Sequence, residues 1–221
     1  MSPRRRSLTL LTLGLALIAS LCAARLLLAR PIALPELGDL PAFQLSDERG
    51  AQLGRESLLG HVTIVDFIFT SCSTACPLLS AEMAHLQDDV RRRGLGDRVR
   101  LLSISVDPER DTPERLRAFA ARYAADPTLW RFARGDDAQI RRVVVDGMKQ
   151  DVTRQIDKGE ADGFTVLHGT RMVVVDSAAH IRGYYDARDP ASMLKLRDEV
   201  SALAEGRVET LPAITSPAGA P

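Results

Sequence analysis

Cys72, Cys76 and His168 are the side chains whose types and spacing best suit chemistry. Thiolate sulfur is a nucleophile and a soft metal ligand, and imidazole is the commonest nitrogen ligand. Two cysteines four apart can hold a metal ion or shuttle between dithiol and disulfide. A four-residue helical offset puts their Cα atoms roughly 6 Å apart, a span a disulfide can close. The competing reading is a pair of inert buried cysteines, but nothing in a core requires that spacing. Cys22, the remaining cysteine, falls in an N-terminal apolar segment. The folded part therefore has no framework of structural disulfides, and a functional CxxxC is the natural reading.

The histidines divide by context. His61 precedes a predicted strand, His85 rides a helix and His180 sits in a hairpin turn, where solvated imidazoles are usual. His168 follows a charged, glycine-flanked segment, Gly147 to Gly163, and precedes a strand. Spacing alone leaves His168 as either a ligand or a loop histidine making a local hydrogen bond.

The pair is positioned by strand, turn and helix. Val62 to Phe69 is a near-continuous apolar run, the pattern of a strand buried on both faces of a parallel sheet. Small polar residues follow. After Pro77, Leu79, Met83, Leu86 and Val90 recur at helical spacing, and Pro77 suits a first helical turn. The cysteines thus sit at or just before a helix start, where unpaired N–H groups and the positive end of the dipole favour thiolate.

Beyond this core, Phe43 to Leu53 predicts a small hairpin ahead of the main sheet, and Val99 to Val106 a second buried strand. Thr112 with Pro113 reads as a helix cap, Leu129 to Phe132 as a short edge strand, and Asp136 to Asp146 as another helix. The segment from Gly147 to Gly163 loses its period and is expected to be a long functional or mobile loop. Thr170 to Val175 and Ile181 to Tyr185 form a closing hairpin, and Met193, Leu196, Val200 and Leu203 line a last helix. This order predicts an α/β thioredoxin-like fold, a central mixed sheet flanked by helices. The expected division is an anchor or signal peptide in 1–30, a stiff proline-bearing linker in 31–40, one domain in 41–206 and a disordered tail in 207–221.

With 29 basic and 29 acidic residues in 221, the chain has no basic footprint for nucleic acid. Arg4, Arg5 and Arg6 precede an apolar run from Leu8 to about Ala24. That asymmetry predicts insertion with the arginines in the cytoplasm, either as a retained single-pass anchor in the inner membrane or as a signal cleaved near Ala24. Leu21 is bulky where a lipoprotein signal needs a small residue before its cysteine. Either outcome puts the domain on the periplasmic side.

Phe69 to Pro77 (FTSCSTACP), Ser105 to Pro113 (SVDPERDTP) and His168 ahead of a strand together resemble the Sco/SenC family. The resemblance runs from about Pro41 to Ala204, and the Asp107–Pro113 stretch is its most distinctive part. It implies a membrane-anchored, thioredoxin-like copper protein that helps assemble the copper centre of cytochrome oxidase. It further implies copper, as Cu(I) or Cu(II), held by Cys72, Cys76 and His168, with Asp107 and Pro108 shaping the floor nearby. The implied partner is the oxidase subunit carrying the copper centre, or another copper protein. Ser73 departs from the proline common after the first cysteine, and Leu167 from the acidic residue often found before the histidine.

Two thiolates and an imidazole suit copper, although zinc accepts the same set. No paired general base stands near to support hydrolysis. A peroxiredoxin would need a proline where Val65 stands, and Thr70 is too close to serve as its threonine. Two functions survive: a copper metallochaperone, and a thiol–disulfide oxidoreductase with Cys72 as nucleophile and Cys76 resolving. An exchange enzyme has no need of His168, and Gly169-Thr170 stands where such enzymes carry a cis-proline.

Overall fold

The computed structural model describes residues 13–20, 31–72, 75–150, 152–155, 165–168 and 170–211; at residue 75 and in 152–155 and 165–168 it describes the backbone alone. The central strand is β5 (Val62–Ile68), seven consecutive buried residues. Its parallel neighbour is β6 (Val99–Ser105), and β6 in turn pairs in parallel with β7 (Trp130–Arg134). On the other side, β10 (Arg171–Val175) runs antiparallel to β5 and joins β11 (His180–Asp186) in a hairpin. Four strands near the N-terminus precede them: β1 (Ile32–Pro35), β2 (Gly38–Asp39), β3 (Gln44–Asp47) and β4 (Gln52–Gly54). The main sheet has eight strands in the order β2-β11-β10-β5-β6-β7-β3-β4.

Alternation along the strands divides the core in two. Val62, Ile64 and Ile68 of β5 face one cluster with Leu101, Trp130 and Phe132. That cluster is covered by α1 (Ala75–Arg92), α2 (Pro113–Arg122) and α4 (Pro190–Ala204), through residues such as Leu79, Leu116 and Leu196. Val65 and Phe67 face the other, where Ile140, Val143, Val144 and Met148 pack from α3 (Asp137–Ile140) and the π-helical stretch Arg141–Gly147 that continues it. The expected cap of α2 is present: the Thr112 hydroxyl accepts the Arg115 amide at 3.3 Å and Pro113 opens the helix.

Several expectations need correction. Residues 31–40 are not a plain linker but contribute β1 and β2, and Leu34 in β1 and Leu40 just after β2 are buried at 2% exposure each. The region from 207 is likewise not wholly a tail: β12 (Val208–Leu211) pairs in parallel with β1, from Ile32 opposite Val208 to Pro35 opposite Leu211. Both are short edges that pair across nearly the whole chain, which no local pattern reveals. The β3–β4 hairpin belongs to the main sheet, and because β3 pairs with it, β7 is internal rather than an edge. The Gly147–Gly163 segment contains β8 (Val152–Gln155), which pairs antiparallel with β9 (Thr165–His168), Val152 standing opposite His168. Its residues 151 and 156–163 lie outside the described residues, as do 1–12 and 21–30 of the expected anchor and 212–221 of the expected tail. Among the described residues no helix is long and apolar enough to cross a membrane.

Candidate metal centre

The cysteine loop leaves the carboxyl end of β5. Ile68 remains tied to the next strand, its carbonyl accepting the Val106 amide at 2.9 Å, and the chain then turns so that the Cys72 amide donates to the Phe69 carbonyl at 3.1 Å. Helix α1 begins at Ala75, so Cys76 lies in its first turn and Cys72 just before it. That first turn carries neither Asp nor Glu, and its positive end is left for the sulfurs. The Cys76 amide points at the Cys72 sulfur at 3.4 Å. No disulfide joins the two cysteines in this structure.

The two sulfurs are not equivalent. Cys72 is half-buried, whereas Cys76 is fully buried. The Cys72 sulfur, by holding the Cys76 proton in a hydrogen bond, and burial next, push the Cys76 thiol well above its ordinary range; the nearby Asp66 charge adds to this. Cys72 is therefore the more accessible sulfur, and Cys76 the proton-bearing one behind it.

Two buried acids support this end of the sheet. Asp111, 0% exposed, accepts the Thr70 amide at 3.1 Å on each oxygen, the Thr70 hydroxyl at 2.5 Å and the Ser105 hydroxyl at 2.5 Å. It is delivered by a turn in which the Asp107 carbonyl accepts the Asp111 amide at 3.0 Å and the Ser105 hydroxyl accepts the Asp107 amide at 3.2 Å. Pro108 is buried, and its carbonyl accepts from Arg134 at 2.8 Å. Asp111 ties this turn to the cysteine loop through Thr70, two residues before Cys72. Asp66, also 0% exposed, accepts the Ser103 hydroxyl at 2.5 Å, and that hydroxyl accepts the Trp130 indole N–H at 2.9 Å. Neither acid was given a role by spacing. The signal was an aspartate inside an otherwise apolar strand, and a second acid four residues after Asp107.

The topology also brings His168 towards this end. Because β10 is antiparallel to β5, with Val173 opposite Val65 and Val175 opposite Thr63, the chain enters β10 at the carboxyl end of β5. His168 stands three residues before Arg171, and the entry is pinned by Thr170, whose hydroxyl donates to Asp186 at 2.7 Å and whose carbonyl accepts the Ala187 amide at 2.9 Å. Among the described residues no three His, Cys, Asp or Glu side chains converge to hold a metal ion. Cys72 and Cys76 come together; the imidazole of His168 lies outside the description. Of the other histidines, His85 is exposed and His61 is half-buried, with Nδ1 at 3.2 Å from the Leu59 carbonyl. His180 is half-buried among Glu36, Asp39 and Asp176, its ring nitrogens 3.2 to 3.6 Å from their oxygens.

A mixed sheet with helices on both faces and a dithiol at the head of the helix after its central strand defines a thioredoxin-like protein. The SCO1/SenC family profile matches residues 38–203. The chain belongs to the SCO1/SenC family. A SCO1 homologue of Bacillus subtilis is 39% identical over 97 residues, 44% of this chain and 49% of that protein. A Stutzerimonas stutzeri protein, provisionally named as copper-binding, is 32% identical over 123 residues, 55% of this chain and 60% of that one. The matched part thus spans about half the length of these curated relatives. Among solved structures, a SCO1/SenC family lipoprotein of Bacillus anthracis superposes with a TM-score of 0.66 at 31% identity, covering 76% of this chain and 95% of that one. BsSco, described as a Sco-family cytochrome c oxidase assembly protein with a disulfide switch, superposes with a TM-score of 0.67 at 28% identity, covering 79% and 98%.

Proposed function

We propose that this chain is a copper metallochaperone in which Cys72, Cys76 and His168 bind copper and pass it to the copper centre of cytochrome c oxidase. The observation that carries the reading is the adjacent, unbridged cysteine pair at the carboxyl end of β5, in a chain of this family. Two sulfurs are a donor set suited to copper, and a copper-binding name among the relatives supports that metal. The description of BsSco supports the oxidase as recipient. Residues 1–30 act as a single-pass inner-membrane anchor and hold the domain in the periplasm. The arginine flank of that segment supports this, as does the lipoprotein among the neighbours.

In such a site the half-buried Cys72, the more accessible of the two sulfurs, meets the incoming ion first, and ligation displaces the proton that Cys76 otherwise keeps. Oxidation to a disulfide removes both thiolates at once, so copper affinity follows the redox poise of the compartment. A thiol–disulfide oxidoreductase is the second reading, favoured by the asymmetry between an accessible Cys72 and a buried, protonated Cys76. The test measures copper stoichiometry and visible spectra of the wild type, His168→Ala, Cys72→Ser and Cys76→Ser, beside a disulfide-reductase assay. His168→Ala is expected to lose tight copper binding while its disulfide still forms and is reduced, and either serine variant is expected to lose both. If His168→Ala binds copper like the wild type, and the wild type reduces protein disulfides efficiently, the oxidoreductase reading replaces the chaperone.

A further inference from the structure

A cavity of about 430 Å³ lies at the amino ends of β5 and β6, the end of the sheet opposite the cysteines. The seven residues of β5 separate the two by roughly 20 Å at about 3.3 Å per residue. Register builds its floor. Thr63 pairs with Arg100 and Leu102 with Arg131, and alternation puts all four on one face of the sheet. Leu53 and Leu58, from β4 and the short 3-10 turn Arg55–Leu58 that follows it, supply an apolar wall.

One charged group in this cavity is not accounted for by the fold. Arg131 is matched: its guanidinium binds the buried Asp47, with Nε at 3.0 Å, and Asp47 also accepts the Arg49 and Ala51 amides at 3.0 and 2.7 Å. Burial alone would push the Asp47 carboxyl up, but Arg131 and the two amides outweigh it and hold it below the ordinary carboxylate range. Arg49 lies 3.5 Å from Glu48. Arg100, by contrast, donates only to the carbonyls of Gly96 and Val99, and among the described residues no carboxylate pairs with it. Beside it Thr63 is 1% exposed, its hydroxyl buried beneath the cavity wall. A half-buried guanidinium with no carboxylate beside it leaves a charge that an anion can meet.

We propose that this cavity is a binding site for a small organic monoanion, whose carboxylate takes the charge of Arg100. The apolar body of the ligand lies against Leu53, Leu58 and Leu102. One unmatched positive charge selects a monoanion over a phosphate-like dianion, and the leucines select an organic acid over an inorganic ion. The volume lies within the range of small-molecule sites. The cavity shares no residue with the cysteine end, so the proposal stands or falls apart from the copper reading.

The test titrates the full chain with benzoate, with benzyl alcohol as its neutral counterpart and with inorganic phosphate, following backbone amide shifts. Benzoate is expected to saturate, moving the amides of Leu53, Thr63 and Leu102, with the other two probes at least tenfold weaker. Arg100→Gln is expected to weaken benzoate at least tenfold. Thr63→Val is expected to leave benzoate binding unchanged, since that hydroxyl is buried beneath the cavity wall. Benzyl alcohol binding as well as benzoate would show an apolar hole only. Phosphate binding more tightly, Arg100→Gln binding benzoate like the wild type, or no saturation at all would each overturn the proposal.

Discussion

Removing the Asp111 carboxylate should loosen the cysteine loop and destabilise the whole domain. The group is fully buried and receives three donors: the Thr70 amide, the Thr70 hydroxyl and the Ser105 hydroxyl. A hydrogen bond to a charged group contributes about 1.5–3 kcal/mol, so Asp111→Ala could cost at most about 4.5–9 kcal/mol if nothing relaxed. Thr70 is half-buried and water can reach part of what it loses, whereas Ser105 is buried and water cannot. The expected cost is therefore about 3–5 kcal/mol, a large share of a stability that is typically about 5–15 kcal/mol. Asp111→Asn keeps the shape and one carbonyl oxygen but turns an NH₂ group towards a former donor, for about 1–3 kcal/mol. With a urea slope of about 2 kcal/mol/M, the alanine variant should unfold roughly 2 M earlier. Urea unfolding of both variants, read beside the iodoacetamide alkylation rate of Cys72, tests this. Alkylation should speed up in both, because Thr70 anchors the turn that carries Cys72. If both variants unfold within about 0.5 kcal/mol of the wild type, a change ordinary for a surface site, Asp111 does not hold the loop.

Three further outcomes follow from the same geometry. Limited alkylation of the reduced protein near neutral pH should label Cys72 well before Cys76, because the Cys72 sulfur and burial keep the Cys76 thiol protonated; labelling of Cys76 first, by mass spectrometry, would contradict this. The raised folded value also means that the stability from neutral Cys76 is complete below about pH 8.5 and is lost above it as the unfolded chain ionises, a decline that Cys76→Ser should reduce. Gly183→Ala should destabilise by about 1–3 kcal/mol in thermal unfolding, since a Cβ there would stand 2.6 Å from Tyr185 Cζ and drive the buried ring from its bond to Glu199. Asp186 is held at about 2 by the Arg188 amide and then by the Thr170 hydroxyl. Its contribution is thus present above about pH 4 and lost as pH falls towards 2, so Asp186→Asn should flatten the acid limb of the stability profile.

The centre of the fold was legible in the residues because its signals are local. Val62 to Ile68 is apolar on both faces, and a strand buried on both faces is what it forms. Thr112-Pro113 announces a helix cap, and the cap is there. What was not legible depends on distant partners. Nothing near Ile32 indicates that Val208 will pair with it, and nothing in Trp130 to Phe132 shows that β3 will cover the far side of β7. The charged composition of Gly147 to Gly163 hid β8, whose partner strand begins ten residues after β8 ends. At the site the cysteine pair and its place at a helix start were readable from spacing. The roles of Asp111 and Asp66 were not, because an aspartate looks solvated until the fold shows which hydroxyls surround it.

The pairing of β1 with β12 has a mechanical meaning. Arg182, 4% exposed, donates to the Leu34 carbonyl at 3.0 Å and to the Thr210 hydroxyl at 3.3 Å, bolting the first described strand of the domain to the last. Residues 31–35 are thereby held against the domain. Cutting the chain after Arg207 would remove the partner of β1 while β2 stays paired with β11, releasing about six extended residues, 31–36, or roughly 20 Å of chain. Under the proposed anchoring by residues 1–30, the strand Val208–Leu211 would therefore set how far the cysteine end can reach, although it lies outside that site.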